Sequence, residues 1–128
     1  MKQALSLVTL VVADYGHALD FFVGVLGFDM LQDQDQGDKR WVTIRPPGGE
    51  GTAILLARAT TPAQLGAVGN QTGDRVGFFL TTDDFDRDYA RMRDRGVTFL
   101  ESPRAEPYGK VVQWRDPFGN RWDLLQPS

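Results

Sequence analysis

The chain has 128 residues, 41% hydrophobic, 24% charged and 11% aromatic, enough for one domain with its own core and no covalent staples. A net charge of −3 and a pI near 5.0, with no stripe of Lys and Arg, argue against a nucleic-acid partner. The absence of cysteine removes disulfides, thiolate metal sites and a Cys nucleophile together.

The opening MKQALSLVTLVVADYG carries a Lys and an apolar run. The run is short and β-branched, breaks at Asp14 and lacks a small-residue cleavage site, so it reads as a buried strand, Leu5 to Val12, not as a secretion signal. No segment approaches the roughly 18 apolar residues of a bilayer span, so no membrane partner is expected and the expected location is cytoplasmic. Asp14 is placed to cap a helix over Tyr15 to Leu26. Leu19, Phe22, Val25 and Leu26 share one face at helical spacing, and Gly27 supplies the left-handed stop. A strand is expected over Phe28 to Gln32, then a polar turn DQDQGDKR. Trp41 to Arg45 alternates as a strand, Pro46 to Gly51 is a turn, and Thr52 to Arg58 is a further strand.

Residues 59–75 are rich in Gly, Thr and Ala and form the expected connection, with a short helix at Pro62 to Val68. The order then repeats: a strand over Gly77 to Thr82, then a helix capped by Asp83 or Asp84 and reaching Arg95. Phe85, Tyr89 and Met92 are its apolar stripe and Gly96 its end. A short strand follows at Val97 to Glu101, a longer one at Lys110 to Arg115, the turn DPFGN, and a last strand at Trp122 to Gln126. Two copies of strand–helix–strand–strand–strand are thus visible in a single domain over 1–128: module one about 1–58, linker about 59–75, module two about 76–128. The expected class is α+β, with two short sheets, each with a helix on one face, assembled into one larger curved sheet.

VTLVVADYGHALDFFVGVLGF at residues 8–28 resembles the opening module of the vicinal-oxygen-chelate superfamily, which includes glyoxalase I, extradiol dioxygenases, fosfomycin-resistance enzymes and bleomycin-binding proteins. DDFDRDYARMRDRGV and EPYGKVVQWRDPFGNRWDLLQP resemble its closing module, the DPFGNRWDLLQ ending most specifically. The resemblance implies two βαβββ modules forming an incomplete barrel around a cleft, usually in a homodimer. In metal-dependent members the cleft holds a divalent ion on His and Glu from the first and last strands of each module. The matching positions here are Leu7, Leu55, Gly77 and Asp123. One carboxylate does not supply the several converging ligands such an ion needs, so neither metal nor other cofactor is expected.

Strand alternation assigns the cleft face. Val8, Leu10 and Val12 belong under the first helix, leaving Leu7, Thr9 and Val11 toward the cleft. Val42 and Ile44 face a helix, so Trp41, Thr43 and Arg45 point the other way. Ile54 and Leu56 are core, while Ala53 and Leu55 line the cleft. In the second half Phe78, Leu80, Val112, Trp114, Trp122 and Leu124 are core. Gly77, Phe79 and Thr81, with Gln113, Arg121 and Asp123, take the opposite side. Tyr108, in a PYG turn, is placed to close over the mouth.

The expected ligand-binding set is therefore Thr9, Trp41, Thr43, Arg45, Phe79, Tyr108, Gln113 and Asp123, a largely apolar hollow with a few orienting polar groups. Asp123 is the only candidate catalytic acid. It is either held protonated by apolar surroundings or paired with Arg121, Arg45 or another cleft arginine. His17, the only histidine, belongs to a solvated first helical turn, and Arg115–Asp116 reads as a strand-end ion pair. The leading expectation is metal-independent binding of a small, partly aromatic organic molecule, with the mild acidity favouring a cation. The alternative is a lyase, isomerase or dioxygenase with a displaced divalent-metal site drawing on Asp123 with Glu50, Glu101 or Glu106, or a metal-free acid/base pair of Asp123 and Tyr108. A third reading leaves the cleft vestigial and gives the role to a surface.

Overall fold

The computed structural model describes all residues, 1–128. By their internal contacts they divide into two units, Met1–Val68 and Gly69–Ser128. The first contains β1 (Leu7–Val12), α1 (Tyr15–Leu19), a π-helical segment (Asp20–Val25), β2 (Asp29–Asp35), β3 (Arg40–Arg45), β4 (Ala53–Arg58) and α2 (Pro62–Ala67). Its sheet has the order β1-β4-β3-β2, with β1 parallel to β4 and the other pairs antiparallel. Leu10, Leu56 and Val42 stand in one row across three strands. With Val12, Ile44, Ala18 and Phe22 they are fully buried, so alternation along each strand has put one face into the core.

The Asp14 carboxylate accepts from the His17 N–H at 2.8 Å and caps α1. The expected continuous α-helix over Tyr15 to Leu26 is not what forms: after Leu19 the chain widens into the π segment. Across the two, Ala18, Phe22 and Leu26 are buried, and Leu19 and Val25 are only half-buried. Gly27, at φ 80°, ends the segment as expected.

β2 corrects a second expectation. The residues read as a turn from Asp33 onward continue as strand to Asp35, paired with β3. All seven residues of this edge strand are exposed, so no apolar alternation marks it. Backbone pairing holds it, together with a two-bond grip of the Asp33 carboxylate by the Arg40 guanidinium at 2.7 and 3.1 Å. A register shift between Met30 and Gln32 turns Gln32 onto the same row as Thr43.

The second unit contains β5 (Val76–Thr81), α3 (Phe85–Asp94), β6 (Thr98–Phe99), β7 (Arg104–Glu106), β8 (Gly109–Arg115) and β9 (Arg121–Pro127). Its sheet runs β5-β9-β8-β6, with β7 also on β8 and β5 parallel to β9. Asp84 caps α3 through the Arg87 N–H, and the Phe85 N–H donates to Gln126 Oε1 at 2.8 Å, tying the helix start to β9. Phe78, Trp122 and Trp114 stack in series with centroids 4.6 and 4.9 Å apart. The strand expected over Val97 to Glu101 shrinks to two residues. β7 was not foreseen: it lies between Pro103 and Pro107, carries no apolar pattern, and exists through its pairing with β8.

The DPFGN turn is organised by Asp116, which is 2% exposed. One carboxylate oxygen accepts the backbone N–H groups of Phe118, Gly119 and Asn120, each at 3.0 Å. The other accepts Asn120 Nδ2 at 2.9 Å and Trp122 Nε1 at 3.0 Å. The expected ion pair with Arg115 is thus replaced by a turn scaffold. Gly69, at φ 72°, packs against this turn so closely that an added Cβ would lie 1.9 Å from the Phe118 carbonyl oxygen. No helix is long and apolar enough to cross a membrane.

Candidate functional site

On the first unit's sheet, the face opposite the core carries the row Thr9, Leu55, Thr43 and Gln32, one residue from each strand. The side-chain carbonyl of Gln32 accepts the Trp41 indole N–H at 2.9 Å and the Thr43 hydroxyl at 3.3 Å. A hydrogen bond at one edge fixes the plane of an amphipathic ring, so Trp41 is held in place while half-buried. Beside it is a hollow of about 380 Å³ whose apolar wall includes Val11, Leu55, Ala57 and Trp41. Its polar side brings in Tyr15, Lys39, Arg40, Arg58 and Gln64. The Tyr15 hydroxyl donates to the Arg40 carbonyl at 3.3 Å, and the Arg40 guanidinium lies over the Tyr15 ring, 5.0 Å from its centroid. The side-chain hydrogen bond from Arg40 holds the Asp33 carboxyl below its ordinary range.

Of the residues expected to bind ligand, Thr9 and Trp41 border this hollow. Thr43 is 4% exposed and acts from beneath, through Gln32. Arg45 lies outside the hollow, with its Nε buried and without a hydrogen-bond partner. Glu50 sits exposed in the loop after β3.

The second unit gathers the remaining set. Phe79, Asp123 and Gln113 share one row across β5, β9 and β8. Phe79 is 64% exposed. Asp123 Oδ1 is buried without a hydrogen-bond partner. Burial raises the Asp123 carboxyl above its ordinary range, the Arg104 charge opposes this, and the Glu101 charge adds to it. The arginine that bears on Asp123 within this unit is thus Arg104, whereas Arg121 donates to the Asp74 carbonyl at 3.2 Å. Arg104 is gripped by Glu101 at 3.0 Å and Glu106 at 2.8 Å, and it donates to the Tyr108 hydroxyl at 3.3 Å. Glu101 also accepts the Gln113 N–H at 2.9 Å. Two of the three glutamates named for a displaced metal site, Glu101 and Glu106, are therefore engaged with an arginine.

The four positions that hold metal in the resembling family do not fit a divalent ion here. Leu7 and Leu55 have no donor atom. At Gly77 any side chain would start 2.8 Å from Thr72 Cγ2 and 3.0 Å from its hydroxyl. No group of three or more His, Cys, Asp or Glu side chains comes together in a way that would hold a metal.

Sequence reasoning missed Gln32, Tyr15, Arg58, Gln64 and Arg104. Gln32 stood at the edge of a run read as a turn, and only the bulge gives it its row. The others matter through contacts distant in sequence or through the ends of strands, where alternation carries no information.

A model of the Glyoxalase/Bleomycin resistance protein/Dioxygenase superfamily matches residues 4–124. The chain is 50% identical to an uncharacterized protein of Shewanella frigidimarina (strain NCIMB 400), over 98% of this chain and 95% of that one. Among solved structures it is similar to TnmS3, an antibiotic binding protein from Streptomyces sp. CB03234. That match has a TM-score of 0.80 and 34% identity over 100% of this chain and 98% of that one. UcmS2 matches with a TM-score of 0.84 at 27% identity, over 98% of each chain. The strand–helix–strand order repeated in both units and the match over residues 4–124 place the chain in the Glyoxalase/Bleomycin resistance protein/Dioxygenase superfamily.

Proposed function

We propose that this protein binds a small organic molecule with a flat aromatic part, needs no metal ion to do so, and breaks no bond in its ligand. The observation that carries the reading is Trp41: its indole is fixed at one edge by Gln32 and borders an apolar-walled hollow of about 380 Å³. A pre-oriented aromatic wall with a few polar groups is the common form of a small-molecule site. The donor set argues for metal independence, since three of the four family ligand positions are Leu7, Leu55 and Gly77. The 34% identity with TnmS3, an antibiotic binding protein, supports ligand sequestration as the activity. A homodimer belongs to the same proposal and is read by light scattering.

The test is thermal unfolding in EDTA with a panel of planar antibiotics and bleomycin, each run on wild type and on Trp41→Leu. A ligand at 100 times its dissociation constant adds about 2.7 kcal/mol, or roughly 10 °C in Tm for a chain of this length. The reading expects such a shift for at least one organic compound, lost in Trp41→Leu. Stabilisation only after a divalent metal is supplied would contradict it.

A further inference from the structure

We propose that the hollow selects aromatic molecules bearing an acidic group, a carboxylate or phenolate, which Arg58 and Lys39 receive at its rim. This rests on the binding reading above and names the ligand class of the same site. The charged groups bordering the hollow are Asp38, Lys39, Arg40 and Arg58. Arg40 is already engaged, with two bonds to Asp33 and its plane over Tyr15. Lys39 and Arg58 are exposed and take part in none of the chain's ion pairs. Two uncommitted cations therefore stand against one carboxylate, Asp38.

The neutral polar groups point the same way. Gln64 Oε1 accepts from the Thr60 N–H at 2.8 Å and from the Thr60 hydroxyl at 3.1 Å. Those bonds use its oxygen and leave the amide nitrogen, a two-proton donor, outside them in a residue that borders the hollow. Trp41 gives its N–H to Gln32 and so offers the hollow an apolar face. An apolar wall with a donor-rich, cationic rim is complementary to a flat ring ending in an acidic oxygen. The chain's net charge of −3 predicts the opposite sign of ligand. Charges farther than a Debye length of about 8–10 Å are screened at ordinary salt, so the local rim decides.

The experiment is calorimetric titration at about 0.15 M salt with 2-naphthoate, 2-naphthamide and 2-naphthylmethylammonium, which share one ring and differ in charge. Wild type is compared with the double variant Lys39→Gln/Arg58→Gln and with Trp41→Leu. The wild type is expected to bind naphthoate tightest. The double variant should lose about two- to fivefold in naphthoate affinity per charge removed and leave naphthamide unchanged. Both changed side chains are exposed, and far-UV circular dichroism checks that the variant folds. Equal affinities for naphthoate and naphthamide, with both lost in Trp41→Leu, overturn the inference and leave the binding reading standing. Tightest binding of the ammonium, or no binding of any of the three at millimolar concentration, also overturns the inference, and the antibiotic panel then decides the broader reading by itself.

Discussion

Replacing Asp116 by asparagine changes one atom of a buried scaffold and leaves its shape. The oxygen that accepts three backbone N–H groups at 3.0 Å is retained. The other becomes an NH2 facing two donors, Asn120 Nδ2 at 2.9 Å and Trp122 Nε1 at 3.0 Å. Asn120 can turn its amide and present an oxygen. The indole has no such freedom, because its ring is stacked between Phe78 and Trp114 and the residue is 2% exposed. A buried donor that loses its acceptor costs about 1–3 kcal/mol, and the retained bonds lose their charge assistance, so the expected loss is about 2–3 kcal/mol. With a urea slope of about 1.5 kcal/mol/M, the unfolding midpoint should fall by about 1.5 M at unchanged slope. Asp116→Ala, which removes both acceptors, should cost about 4–5 kcal/mol. In a double-mutant cycle with Trp122→Phe the Asn penalty should shrink by at least about 1 kcal/mol. An Asp116→Asn protein within about 0.5 kcal/mol of wild type would refute the scaffold reasoning.

Two further outcomes follow from the same structure. Asp123 has its folded-state pKa raised above the ordinary 3.8, chiefly by burial. Its favourable contribution is therefore fully present below the unfolded pKa and is lost as pH rises through the folded one. Asp123→Asn should gain stability relative to wild type between pH 3 and 7, read as urea midpoints, and a pH-independent difference would contradict this. Among the glycines, Gly69→Ala combines φ 72° with a Cβ 1.9 Å from the Phe118 carbonyl, whereas Gly96→Ala combines φ 83° with open space. Thermal unfolding should show about 3 kcal/mol or more lost at residue 69 and about 1 kcal/mol at residue 96. Equal losses would mean that the contact with the turn does not matter.

Alternation and capping carried much of the fold in advance. Leu10, Val12, Val42, Ile44 and Leu56 point inward because every second residue of a half-buried strand must. Asp14 was visible as a cap, and the second cap was narrowed to Asp83 or Asp84, of which Asp84 acts, because such side chains reach only about three residues on. Legibility failed where structure depends on a distant partner. The polar DMLQDQD segment is a strand only because β3 lies beside it, and Arg104 to Glu106 only because β8 does. The π segment likewise escaped a reading that continued one regular helix over Tyr15 to Leu26; of its residues only Phe22 is buried. The candidate site shows the same division. Thr9 and Trp41 followed from parity, whereas Gln32 depended on a bulge, and Gln64 and Arg58 on where the ends of elements converge.

The most direct test uses the three tryptophans as internal reporters. Trp41 borders the hollow, while Trp114 and Trp122 are 0% and 2% exposed in the other unit's core. An 15N-labelled sample in EDTA is titrated with whichever compound of the antibiotic panel raises Tm most, and the three indole N–H signals are followed. Ligand binding at the proposed site predicts a saturable shift of the Trp41 signal at stoichiometric ligand, with Trp114 and Trp122 little moved. A stabilising compound that leaves Trp41 unmoved and shifts only the other two would contradict the account.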